Sequence, residues 1–216
     1  MAERDVFILS EQALADVIDQ IRPEQWAWRK PEWFATGGQG DASLRQIVNY
    51  HAYDSAWVPD VLAGKTAAEV GDAFEHLKSD AECDYRAYSE SAIAAARALA
   101  NRERTVHLSY GDFPAREYLK HVTSFRGFRA YDIARWIAVS TQLPAGLVQG
   151  MWDEIAPEVE AWRAMGVYGP AVPVADDAPL QDRLLGLVGR DPRGTTSATA
   201  PPRPAAPDDE AAARRG

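Results

Sequence analysis

Apolar residues Phe7, Leu14, Val17, Ile18 and Ile21 recur at three- and four-residue spacing, the period that lines one face of a helix, and the run stops before Pro23. A second stripe collects Leu44, Ile47, Val48, His51, Val58 and Leu62 when the chain is wound at about 100° per residue. Ser43 stands where an N-cap belongs and Gly64 where a C-terminal stop belongs, so this helix is predicted to run to about residue 63, with a kink at Pro59. Tyr50 adjoins His51 but projects about 100° away from the inner stripe.

A third helix fits within residues 73–100, its later turns rich in alanine and suited to close helix approach. Residues 105–110 (TVHLSY) alternate weakly and read as extended, and one such segment cannot make a sheet. Phe113 and Pro114 open a long helix over 114–140. A fifth follows over 144–165 and a short one over 180–188. Between the first two helices, residues 25–43 hold three tryptophans among Pro and Gly, and are expected to fold back over one end of a bundle rather than form a ligand cage. GGQG at 37–40 lacks the spacing and flanking strand of a phosphate loop. The expected fold is all-α, an up-down four-helix bundle with additional C-terminal helices over residues 1–190. Residues 191–216 are too poor in large apolar side chains to offset their ordering entropy and read as a disordered tail.

The chain has 216 residues, enough for one well-buried core, and a formal net charge of -9. That charge repels phosphate backbones and anionic membranes, and no basic stripe offsets it, so nucleic-acid and membrane partners are not expected. Cys83 is the only cysteine, which excludes an intrachain disulfide and a cysteine-based zinc cluster. The N-terminal stretch is acidic and amphipathic, unlike a secretory signal, and a cytoplasmic location is expected.

The long helix over 114–140 carries the candidate chemistry. Its inner side collects Tyr118, His121, Val122, Phe125, Arg129, Asp132, Ile133 and Trp136. Buried Arg, Asp and His need an ion pair, a metal, a bound anion or a wet cavity. Glu117 projects about 40° from His121, four residues on, a spacing that aims two donors the same way. Arg126 lies further round and is assigned to solvent. Each residue also has an ordinary structural reading: His51 as a hydrogen-bonded core histidine, and Arg129 with Asp132 as an internal salt bridge.

Four features resemble the metal-binding domain of the mycothiol-dependent maleylpyruvate isomerase family, part of the DinB-like superfamily of helical bundles. They are LRQIVNYHAYDSAWVPDVLAG, the later YDIARWIA, the segment MGVYGPAVPVADDAPLQDRLLGLVGRDP, and the chain length. The resemblance spans nearly all of residues 4–192. It implies a divalent metal held by a histidine of the second helix and an acid-x-x-x-His pair of a later one. His51 lies at or one residue from the first position, and its inward projection favours it over Tyr50. At the later pair this chain has Phe125 and Arg129, and Glu117 with His121 repeat the pattern about 12 Å earlier along the helix axis.

Two functions therefore stand open. In the first, His51, Glu117 and His121 hold a zinc-type ion that activates a thiol such as mycothiol for addition to a small molecule. Isomerisation follows, and Arg129 grips a substrate carboxylate. In the second, a DinB-like bundle without a metal serves as a binding or regulatory module for a small-molecule ligand, with Arg129 standing where the ion's charge would be and Asp132 neutralising it.

Overall fold

The computed structural model describes residues 1–34 and 41–194, and within them the apolar periods become helices. Helix α1 (Glu3–Ile18) buries Phe7, Leu14 and Ile18 on one face. Helix α2 (Leu44–Leu62) starts at a reciprocal cap: the Ser43 hydroxyl accepts the Gln46 N–H at 3.1 Å, and the Gln46 side chain accepts the Ser43 N–H at 2.8 Å. It ends before Gly64, whose φ of 84° lets the chain turn away. A single turn, α3 (Ala67–Val70), follows behind a Thr66 cap. Helix α4 (Tyr85–Ala98), capped by Asp84, buries Ala92 and Ala96, whose small side chains allow α1 and α2 to approach.

Residues 105–108 are extended, as expected, but they find a partner that the sequence reading gave to the next helix. Strand β1 (Thr105–Leu108) pairs antiparallel with β2 (Gly111–Pro114), Thr105 opposite Pro114 and Leu108 opposite Gly111. Gly111 takes a φ of 138° just after the turn, a backbone state closed to L side chains. Helix α5 (Ala115–Trp136) then runs from the hairpin into the core. It stops short of residue 140 because Ala138 adopts a left-handed φ of 59°.

The segment 144–165 is two helices rather than one, α6 (Ala145–Ile155) and α7 (Val159–Ala164). Pro157 lies in the break, where it has no N–H to continue the ladder. Helix α8 (Leu180–Leu187) completes the order. Helix α1 packs on α4, α5 and α6, and α2 packs on α4, so the four long helices enclose the main core while α6 rests on α1, α5 and α8. A Cβ on Gly150 would come within 2.6 Å of the Val6 methyls, which shows how closely α6 meets α1.

Trp26 and Trp28 pack against the core, and Phe34 meets Trp136 edge-on at 5.1 Å, so residues 26–34 fold back on the bundle. The GGQG segment and most of the expected tail, residues 195–216, lie outside the described residues. Among the described residues no helix is long and apolar enough to cross a membrane.

Candidate ligand cavity

The chemistry begins with a buried charge that the helical projection misplaced. Arg126 is fully buried rather than solvated, and it forms an ion pair with Glu11 of α1, also fully buried. Helix α5 has neighbours on more than one side, so a residue off its main apolar stripe still faces α1. The pair is well supplied with hydrogen bonds. Ser55 Oγ donates to Glu11 at 3.1 Å and accepts from Arg126 Nη2 at 3.2 Å, and Tyr85 Oη donates to Glu11 at 3.0 Å. Arg126 Nη1 donates to the Val122 carbonyl at 3.3 Å. Such partners are what make a buried ion pair tolerable.

One residue before Ser55, Asp54 sits beside this network without joining it. It is partly buried, and it makes no hydrogen bond or ion pair with any described residue. Burial pushes its carboxyl up to about 6; Arg126 pulls it down, and Glu11 pushes it further up. Two carboxylates thus share one guanidinium. Glu11 holds it, and Asp54 is left over.

Asp54 lines a cavity of about 750 Å³ bounded by α2, the hairpin, α5, α6 and residues 158–168. Its walls are strongly aromatic: Tyr53 and Trp57 from α2, Tyr110 from the hairpin turn, Tyr118 and Phe125 from α5, and Trp162 from α7. Among the described residues each lysine and arginine lining the cavity has a carboxylate within ion-pair reach. Lys65 meets Asp60 at 2.7 Å and Lys120 meets Glu117 at 3.2 Å. Arg126 has Glu11, and Arg190 and Arg129 reach Asp132 at 2.9 and 3.8 Å. Of the lining carboxylates, Glu117 is so paired, whereas Asp54, Glu154 and Glu158 have no such partner among the described residues. Burial also pushes Glu154 up to about 7, with Lys120 opposing and Glu3 and Glu117 reinforcing the shift.

The residues expected to hold a metal are not brought together. His51 is 1% exposed, lies against Phe125 with ring centroids 4.9 Å apart, and is not among the residues lining the cavity. Its Nδ1 has no hydrogen-bond partner among the described residues. Burial, then the charges of Arg129 and Arg126, hold it well below the ordinary histidine range, so it is neutral at pH 7. Glu117 and His121 do line the cavity, but Glu117 is engaged by Arg116 and Lys120. His121 is enclosed by the rings of Tyr110, Phe113 and Trp162, with its Nδ1 3.3 Å from the Tyr110 hydroxyl. Among the described residues there is no group of three or more His, Cys, Asp or Glu suited to a metal ion. The donor set implied by the resemblance does not fit a divalent ion here.

Arg129 and Asp132 are both buried, as their projection implies, but they are not each other's main partners. Arg190, from beyond α8, binds Asp132 through two hydrogen bonds of 3.1 and 2.9 Å and stacks its guanidinium 4.4 Å from the Phe128 ring centre. The Arg129 guanidinium lies over Phe34 at 4.4 Å, and burial, opposed by Asp132 and aided by Arg190, lowers its pKa to about 10. Glu11, Asp54, Glu154 and Arg190 are the residues that sequence reading missed. Only Glu11 carried a detectable signal, as a charge between Phe7 and Leu14 on an otherwise apolar helix face.

Compared with family models, with curated proteins and with solved structures, the chain matches none.

Proposed function

We propose that this protein is a small-molecule-binding bundle of the DinB-like up-down type, and that its ligand occupies the cavity between α2, α5 and α7. The observation that carries this reading is the cavity itself. Its volume of about 750 Å³ falls within the range of ligand sites, and its lining combines aromatic walls with a few polar groups. The thiol-dependent isomerase reading needs three donors converging on one ion, and the described residues supply no such group. Binding without a resident metal is therefore the function that the geometry favours.

A thermal-shift screen of small-molecule fragments tests it. At a roughly hundred-fold excess over Kd, a ligand of the folded state raises the melting temperature by about 5 to 10 °C for a chain of this size. Hits are expected to lose their effect in Ser124→Trp, which places an indole in the cavity from α5. A blank screen, or hits indifferent to that substitution, would contradict the reading.

A further inference from the structure

The charge left unbalanced at the cavity wall points to the kind of ligand. Every cation that lines the cavity has a carboxylate in reach among the described residues, Arg129 and Arg190 sharing that of Asp132. Beside Arg126 the local imbalance is negative. Glu11 and Asp54 place two carboxylates around the single guanidinium of Arg126, and Glu11 takes it together with the Ser55 and Tyr85 hydroxyls. Asp54 remains at the wall with no partner among the described residues. A half-buried carboxylate whose nearest guanidinium is already bound by another acid is poorly compensated, and a cation that reaches it from the open side relieves this.

The open side is aromatic. Tyr53, Trp57, Tyr110 and Tyr118 line the same cavity as Asp54, and the negative faces of such rings attract cations. Towards α7, Glu158 and Glu154 add two more carboxylates without described partners. We infer that the cavity takes an organic ammonium ligand, a protonated amine on an apolar or aromatic body, with the ammonium group hydrogen-bonded to Asp54. This deepens the ligand-binding reading and rests on it. It also replaces the expectation that Arg129 grips a substrate carboxylate, because Arg129 already has Asp132 in reach and lies over Phe34.

Three probes of one shape and different charge separate the possibilities: tryptamine, the neutral tryptophol, and indole-3-propionate, each titrated into the full chain by calorimetry at pH 7.5. Tryptamine is expected to bind about ten- to a hundred-fold more tightly than tryptophol, the worth of one charge-assisted hydrogen bond with its aromatic surroundings. Indole-3-propionate is expected to bind most weakly. In Asp54→Asn the tryptamine preference should vanish while tryptophol affinity is kept. Tryptophol or indole-3-propionate binding as tightly as tryptamine, or a preference that survives Asp54→Asn, overturns the inference and leaves the ligand-binding reading standing. No binding of any probe overturns the inference too, and with a blank fragment screen it removes the ligand-binding reading as well.

Discussion

Arg126 and Glu11 have no exposed side-chain surface, and at that depth each charge depends on the other. Arg126→Met alone leaves Glu11 uncompensated and is expected to cost about 3 to 5 kcal/mol in chemical denaturation. Combining it with Glu11→Leu should recover much of that loss, since apolar replacement of both members of a buried pair is commonly tolerated. Additive costs in the double variant would show that the two charges act independently. Asp54 gives a second signature at this scale. Its carboxyl is raised from 3.8 to about 6 by burial, with Arg126 of α5 opposing and Glu11 of α1 reinforcing. The folded state therefore holds this proton more tightly than the unfolded chain. Asp54 contributes stability that is full below its unfolded pKa and lost as pH rises through about 6. The stability advantage of Asp54→Asn over the parent protein should accordingly grow between pH values of about 4 and 6 and then level off. An advantage that is constant with pH would place Asp54 in water.

At the scale of elements, the close crossing of α1 and α6 depends on Gly150. An added Cβ meets both Val6 methyls at 2.6 Å, and a β-branched side chain has few other rotamers to adopt. Gly150→Ala is expected to destabilise by about 1 to 3 kcal/mol. Gly127→Ala on α5 should cost less, because the atoms in its way belong to the flexible end of Met151. Equal costs would mean that α6 shifts freely on α1. Arg190 performs a related task further along the chain, tying the segment after α8 to Asp132 of α5 through two hydrogen bonds. The elements themselves were legible wherever a helix has one apolar face, as in the stripes of α1 and α2. They were not legible where a break depends on backbone detail. Pro157 divides what reads as one amphipathic run, and β2 hides in Phe113 and Pro114, which read equally well as a helix start.

Over the whole molecule, the sequence exposed the fold class and the inward position of His51, Arg129 and Asp132, because these lie on the main apolar stripe of their helices; Arg126, off that stripe but buried against α1, shows where the period stops deciding. It did not expose the partners. Glu11 meets Arg126 across 115 residues of chain, and Arg190 reaches Asp132 from beyond α8, and no local spacing encodes either meeting. The same limit applies to the site: Asp54 lies next to Ser55 in the chain and beside Arg126 in space, but only the folded arrangement shows that Glu11 has already claimed the guanidinium. The central claim is that the aromatic cavity beside Asp54 is the place where this bundle binds its ligand. The most direct test is a ¹⁵N-labelled spectrum of the protein titrated with tryptamine. The Trp57 indole N–H is a convenient reporter, since Trp57 lines the cavity and its Nε1 has no hydrogen-bond partner among the described residues. The account predicts saturable shifts of that indole signal and of the backbone amides of Asp54, Tyr110 and Phe125. Shifts confined to residues outside the cavity, with the Trp57 signal unmoved, would contradict it.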